Sequence, residues 1–224
     1  MSVLRILKLV AQPRYEEDVL RRFSSRLDEF EEQPGFVSAH LFRDRSMRNK
    51  YFVYTFWKSR EDLRAYSSSA FAEEIQSGIG TVVLERPKLF ELRVVDVDTR
   101  PLQAAELESV RSRMISVNVR PGQNQAMEDA YFSTTDGFTR RQPGCLRVRL
   151  YHSFEQPTNY FIQSYWADQE SMERVLAAER IQQQRTEAVK FLEERMQTWT
   201  LDVVADGMAT AAFKPVKASD LAER

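Results

Sequence analysis

Two stretches of the chain that lie 108 positions apart open with the same alternation of apolar residues. Residues 7–11 (LKLVA) and 115–119 (ISVNV) place an apolar side chain at every second position. A period of two predicts a β-strand with one buried face. A proline follows each strand, at Pro13 and Pro121, and indicates a turn.

The next segments change from a period of two to helical spacing. Between Tyr15 and Phe30 apolar residues recur every three or four positions, and residues 127–138 repeat that pattern less regularly. Hairpins are then predicted from 36–43 with 50–57 and from 145–152 with 159–166, because these segments are rich in β-branched and aromatic residues. A second helical region (60–75; 169–196) and a last strand (90–94; 199–203) complete a β-α-β-β-α-β order in each half, which is the ferredoxin-like arrangement.

A direct comparison of the halves shows that the unit is duplicated. Residues 33–57 align with 142–166 at an offset of 109, and seven of the 25 pairs are identical. Upstream the offset is 108, so one residue is inserted before the second Gln-Pro-Gly. We therefore expect a first repeat over 1–97, a linker over 98–111, a second repeat over 112–205 and a tail over 206–224. The run QAAELESVRSR (103–113) favours a short linker helix.

The strand faces predict how two such sheets are covered. The second strand of each repeat has an apolar face that we assign to the helices, and Phe36 and Cys145 are placed on the opposite face by their position in the alternation. The third strand, YFVYTFW at 51–57, is aromatic on both faces. A sheet with one wet face would expose several large rings, so packing of the two sheets within one chain is expected.

Composition narrows the functional classes. The 32 basic and 33 acidic residues nearly cancel and form no sustained block of one sign, which disfavours nucleic acid and polybasic membrane-surface binding. Cys145 is the only cysteine, so an internal disulfide and a cysteine-rich metal site are excluded. A cytoplasmic location is expected, and the N-terminus has no leader-like or long apolar run.

A motif after each hairpin resembles a known family. The motif is aromatic-Trp-x-[Ser/Asp]-x-Glu, present as FWKSRE at 56–61 and YWADQE at 165–170. Together with the strand, helix and Pro-Gly turn before it, it resembles the antibiotic biosynthesis monooxygenase domain of the dimeric α+β barrel superfamily. In that family two chains usually press their sheets into a barrel. The resemblance implies an α+β fold in which the two repeats form this pseudo-dimer within one chain, and a further homodimer is left open.

The resemblance also implies where a ligand would bind. A Trp at the end of the third strand can stack on a flat aromatic molecule held between sheet and helices, although a large ring that caps a small core is the commoner role. The candidate residues of the first repeat are Trp57, Tyr51, Thr55 and Tyr66; those of the second are Trp166, Tyr160, Ser164 and His152. The first repeat is favoured because it keeps more aromatic and hydroxyl groups.

Several family positions depart from the pattern. The Asn that polyketide oxygenases of the family carry four residues before the Trp is replaced by Val53 and Ile162, and the first-strand Asn of the haem degraders by Leu7 and Ile115. No His follows either Trp motif at the family spacing. His152 and the other histidine, His40, face opposite sides of their strands and have no metal-ligand spacing. No Gly-rich phosphate loop occurs, so no bound nucleotide cofactor is expected. The resemblance to cofactor-independent oxygenases implies that no flavin or metal is needed either.

Two functional hypotheses follow. The first is a cofactor-independent monooxygenase that acts on a hydrophobic aromatic small molecule. The alternative is a non-catalytic ligand-binding or scaffold protein with a degenerate barrel, which the replaced Asn and His positions favour. Haem binding ranks third. A cavity with two or three convergent polar groups would favour the first hypothesis, whereas side chains that fill both sites would favour the second.

Overall fold

The computed structural model describes residues 2–95 and 111–208. These residues form two compact units. The first comprises 2–91 and 202–208, and the second comprises 92–95 and 111–201. Of the predicted linker (98–111) and tail (206–224), residues 98–110 and 209–224 lie outside the described residues, while residue 111 and residues 206–208 belong to strands.

Within residues 2–95 the first repeat contains four strands and four helices. They are β1 (Val3–Val10), α1 (Glu16–Ser24), α2 (Leu27–Glu31), β2 (Phe36–Asp44), β3 (Lys50–Trp57), α3 (Arg60–Ser67), α4 (Ala70–Gly80) and β4 (Lys88–Val94). The predicted helix over 15–30 is divided in two, and the predicted helix over 60–75 is divided and extends to Gly80. Both hairpin strands agree with the prediction.

The second repeat has the same order. It contains β5 (Arg111–Asn118), α5 (Asn124–Ala130), a π-helix (Tyr131–Asp136), a helical turn α6 (Gly137–Thr139), β6 (Cys145–Ser153), β7 (Asn159–Trp166), α7 (Gln169–Ala177), α8 (Glu179–Ala188) and β8 (Gln197–Met208). The π-helix explains the irregular spacing over 127–138, because its turn is wider than 3.6 residues. The predicted helix over 169–196 was too long, since α8 ends at Ala188. Residues 111–113 of the predicted linker helix belong to β5.

Hydrogen bonding arranges the eight strands in the order β1-β3-β2-β8-β5-β7-β6-β4, and this order closes into a barrel. Within the first repeat β1 and β2 flank β3 in antiparallel register, and β5 and β6 flank β7 in the same way. Closure removes the open edges that a four-stranded sheet would leave. The predicted α+β class, with two ferredoxin-like repeats that form one barrel in one chain, is confirmed.

A β-bulge at the start of β2 and of β6 corrects the predicted strand faces. The register shifts between Phe36 and Ser38 and again between Cys145 and Arg147. The extra residue reverses the alternation before it. Phe36 therefore packs edge-on against Trp57, with ring centroids 5.6 Å apart. The prediction that Phe36 and Cys145 lie on the face opposite the helices was wrong.

The Pro-Gly turn fixes the start of α3. Gly35 has a φ of 76°, which glycine adopts without strain, and its carbonyl accepts a 2.8 Å hydrogen bond from the Lys58 amide. Ser59 caps the helix by accepting from the Asp62 amide at 3.1 Å. A Cβ on Gly35 would stand 2.1 Å from Asp62 Cγ. Glycine is required here because the turn and the helix approach so closely.

Candidate functional site

A cavity of about 500 Å³ lies in the first unit, between the sheet and the helices. Side chains from β1, β3 and all four helices of the repeat line it, together with the segment that leads into β4. Most of the lining is apolar: Leu7, Leu9, Val19, Phe23, Phe30, Val53, Ile75, Ile79, Val82, Pro87 and Leu89. This volume is in the range of sites that take a drug-sized molecule.

The strand floor of the cavity carries two polar residues side by side. Arg5 of β1 pairs in register with Thr55 of β3, and both line the cavity. Arg5 is in phase with the apolar residues of β1, so its guanidinium lies on the helix side, and the residue is 9% exposed. Arg5 and Thr55 are thus adjacent residues on a strand floor that is otherwise formed by Leu7, Leu9 and Val53.

Tyr66 of α3 packs over Arg5. The Arg5 guanidinium carbon lies 5.3 Å from the centre of the Tyr66 ring, a cation–π contact. Burial raises the pKa of the Tyr66 hydroxyl, so it stays protonated at neutral pH and can donate. That hydroxyl has no hydrogen-bond partner among residues 2–95 and 111–208. The cavity therefore offers it to a ligand.

Trp57 lies behind the cavity wall and is not a lining residue. The indole is fully buried, and its Nε1 donates a 3.0 Å hydrogen bond to Thr55 Oγ1. Its ring packs on Tyr66 with centroids 4.6 Å apart. Since Thr55 accepts from the indole and donates to no described residue, its own O–H is directed by Trp57 and remains available.

The fourth candidate of the first repeat, Tyr51, does not line the cavity. Its hydroxyl donates to the backbone carbonyl of Glu16 at 3.4 Å, and burial raises its pKa. Tyr51 thus links β3 to α1. Of the four candidates, the structure brings Thr55 and Tyr66 to the cavity surface and places Trp57 and Tyr51 outside it.

The second unit repeats part of the arrangement. Trp166 is 1% exposed, and its Nε1 donates to Ser164 Oγ at 2.9 Å, as Trp57 does to Thr55. Arg113 of β5 pairs in register with Ser164. Burial, followed by the nearby charge of Arg185, lowers the pKa of Arg113 to about 10. Val175 stands where the first repeat has Tyr66 and packs on Trp166 in an apolar cluster.

His152 and Tyr160 form a separate polar network in the second unit. Their rings stack with centroids 4.1 Å apart and planes within 4°. His152 Nδ1 accepts from Arg93 at 2.6 Å, and Nε2 donates to the Pro157 carbonyl at 2.6 Å. The Tyr160 hydroxyl donates to Glu128 at 2.8 Å; burial, followed by this hydrogen bond, raises its pKa to about 12. The network thus uses both ring nitrogens and the hydroxyl within the protein.

Arg5 was not among the predicted site residues, although two signals in the sequence indicate it. Its position continues the alternation of Leu7 and Leu9, which places a cation on the buried face of β1. The upstream offset of 108 places Arg113 at the equivalent position of the second repeat. A charge on the apolar face, present in both copies, therefore marks this position in the sequence.

Comparison with protein families gives the class. The family model described as antibiotic biosynthesis monooxygenase matches residues 2–77 and 111–186, once in each repeat. The two matches cover more than half of the chain. The chain belongs to this family, and the resemblance inferred from the Trp motif is confirmed. A search of curated proteins gave no match.

Solved structures show the same tandem fold. A candidate monooxygenase from Lactobacillus acidophilus superposes with a TM-score of 0.72 at 12% identity, covering 95% of this chain and 99% of its own. One from Fusobacterium nucleatum gives 0.76 at 10% identity, covering 96% and 98%. A protein described as anthrone oxidase-like gives 0.77 at 13% identity, covering 94% of each chain. At these identities the likeness establishes the fold alone.

The described residues contain neither a membrane-spanning helix nor a group of metal-ligating side chains. No helix among them is both long enough and apolar enough to span a membrane. Within the same residues, no three His, Cys, Asp or Glu side chains form a group that could hold a metal ion.

Proposed function

We propose that the protein is a monooxygenase that uses no flavin, metal or nucleotide cofactor and oxidises a hydrophobic aromatic small molecule in the cavity of the first repeat. The observation that carries the proposal is the cavity itself, where Arg5, Thr55 and Tyr66 present polar groups within an apolar lining. Family membership and the description of one structural neighbour as anthrone oxidase-like support the reaction class.

The chemistry requires that the substrate supply the electrons. In an anthrone-type reaction the substrate loses a proton from its CH₂ group to bulk water, and the resulting carbanion transfers electrons to O₂. A C–O bond forms and the O–O bond breaks, so that CH₂ becomes C=O and one oxygen atom leaves as water. This proton and the second hydrogen of the CH₂ group balance the water that is released. The protein contributes an apolar site that removes water and donors that stabilise negative charge on the substrate oxygen.

The hydroxyl donors and the apolar residues have different roles in this proposal. The Thr55 O–H, held by the Trp57 indole, and the Tyr66 O–H bind the substrate oxygen, while the apolar residues hold the rings. Both hydroxyls stay protonated through the reaction, because they stabilise the negative charge by donating hydrogen bonds and do not transfer their protons. Trp57 is a positioning residue, since it acts on Thr55 and does not line the cavity.

The test is oxygen uptake by the purified protein with anthrone or a hydroquinone. We expect uptake above buffer, and Thr55→Val and Tyr66→Phe each to lower kcat/KM by about tenfold, the value of one hydrogen bond to a developing charge. Ser164→Ala makes the matched change in the second repeat and should leave uptake unchanged. Absence of uptake above buffer would overturn the proposal.

A non-catalytic ligand-binding protein is the second candidate. Val53 lines the cavity at the position where the polyketide oxygenases of the family carry an Asn, so one polar contact of that mechanism is replaced by an apolar one. A ligand that binds with high affinity while no oxygen is consumed would favour this candidate. Haem binding has less support, because the described lining contains no His, Cys or Met side chain.

A further inference from the structure

The cavity of the first repeat carries an excess of positive charge. Four arginines line it, and Glu74 is the only carboxylate among the described lining residues. Glu74 is paired with Arg26, which also binds Glu29 at 2.8 Å. Arg22 and Arg86 are exposed at the surface, where water screens them. Arg5 is the arginine that is both buried and part of the cavity floor.

Arg5 uses little of its bonding capacity within the protein. Of its five N–H donors, Nη1 donates to Ser67 Oγ at 3.3 Å, and the guanidinium faces the Tyr66 ring. Throughout the part of the chain that the structure describes, no carboxylate pairs with it. A buried cation without a counter-ion is costly, and an anion that enters the cavity would offset this cost.

We propose that the cavity selects an aromatic ligand that carries an anionic oxygen, a carboxylate or a phenolate, and that Arg5 is the residue that recognises this charge. The proposal deepens the proposed function and rests on it for the aromatic part of the ligand. The planar guanidinium would donate to the anionic oxygen beside the Thr55 hydroxyl, which pairs with Arg5 in register. The apolar lining would hold the rings.

The test separates charge recognition from oxidation by using a probe without redox chemistry. Anthracene-2-carboxylate and anthracene-2-carboxamide have nearly the same shape and differ in charge. Titration at pH 7.5, followed by probe fluorescence, gives both Kd values. We expect wild type to bind the carboxylate about tenfold more tightly or better, as a charge-assisted hydrogen bond predicts. Equal affinities, or no binding of either probe, would overturn the proposal.

Three variants assign the preference to a residue. Arg5→Gln should reduce the ratio of the two Kd values to about one while it still binds the carboxamide, which also shows that the variant is folded. Arg5→Lys should keep part of the preference, because it keeps the charge and loses the planar fork. Arg86→Gln removes an exposed lining charge and should change the ratio less than twofold. A preference that persists in Arg5→Gln would contradict the assignment.

A second matched control comes from the duplication. Arg113→Gln makes the same change at the equivalent strand position of the second repeat and should leave the ratio as in wild type. If Arg113→Gln lowers the ratio as much as Arg5→Gln does, the assignment to the first cavity is wrong. If the wild-type protein consumes no oxygen but still prefers the carboxylate, the oxygenase proposal is refuted and the inference about Arg5 still holds.

Discussion

Replacing each buried indole by phenylalanine measures what the duplicated Trp contributes to the scaffold and to the site. Trp57→Phe removes the 3.0 Å hydrogen bond to Thr55 Oγ1 and half of a ring system that is 0% exposed. The remaining ring keeps contact with Tyr66 and Phe36, whose centroids lie 4.6 and 5.6 Å from the indole. The loss is therefore one hydrogen bond and part of the buried volume.

The magnitude follows from these two losses. If roughly 40 Å³ stays empty, the cavity term is about 1 kcal/mol at about 24 cal/mol per Å³. The net value of the hydrogen bond is about 1 kcal/mol, which already allows for water that binds Thr55 Oγ1 in its place. We expect a decrease in the free energy of unfolding of about 2 kcal/mol. Trp166→Phe should cost about the same, because Trp166 is 1% exposed and donates to Ser164 at 2.9 Å.

Urea unfolding followed by far-UV circular dichroism measures both variants without dependence on indole fluorescence. Oxygen uptake then separates them, because only Trp57 holds a hydroxyl that faces the cavity. Trp57→Phe should lower kcat/KM by about tenfold, the value of one directed hydrogen bond, and Trp166→Phe should leave it within twofold. The reasoning fails if Trp57→Phe is as stable as wild type, or if Trp166→Phe loses as much activity.

Two further predictions concern the scaffold. Gly122→Ala should destabilise the protein by about 1–2 kcal/mol, because the alanine must adopt a positive φ. Gly35→Ala should destabilise it by more, because there the new Cβ also meets Asp62. Equal free energies of unfolding for the two variants would contradict this. Tyr160 should titrate near its raised pKa of about 12 in an absorbance titration at high pH, and Glu128→Gln should lower that pKa while burial keeps it above 10. Since the folded pKa is the higher one, this stabilisation is full below about pH 10 and is lost as pH rises through about 12; an unshifted titration of Tyr160 would contradict it.

The order of strands and helices along the chain was predictable, because each copy of the repeat supports the assignment made in the other. The irregular helical spacing of apolar residues over 127–138 is recognised as a helix because the equivalent segment, 15–30, has the same spacing more clearly. The two hairpins share their Pro-Gly turn and their Trp. The bulge at Phe36 was not predictable, because a strict period of two assigns every residue to a face and nothing local marks the extra residue. The division of the helix at residues 25–26 was missed because the helical spacing of apolar residues continues across it, from Phe23 to Leu27.

The site was predictable only in part. Residue types suggested the candidates, but only the structure shows which of them line the cavity. Tyr51 and Tyr66 are both aromatic donors near Trp57, yet the Tyr51 hydroxyl is used by the Glu16 carbonyl and the Tyr66 hydroxyl is not. Which hydroxyl is satisfied depends on where α1 packs on the sheet, and no local pattern specifies that. Arg5, by contrast, could be found from the alternation, since a charge on a buried face needs a partner.

The duplicated Trp motif connects scaffold and site through two hydroxyl groups, those of Tyr66 and Thr55. Ser59 caps α3, and the helix carries Tyr66 over the cavity, so the polar half of the motif positions one donor. The Trp57 indole occupies one lone pair of Thr55 Oγ1 and thereby directs the Thr55 O–H, so the aromatic half positions the other. The second repeat keeps the Trp, the capping residue and a hydroxyl at Ser164, but Val175 replaces the Tyr66 donor. Retaining the motif therefore preserves a repeat's fold, while the proposed binding depends on which residue the helix presents above the hydroxyl.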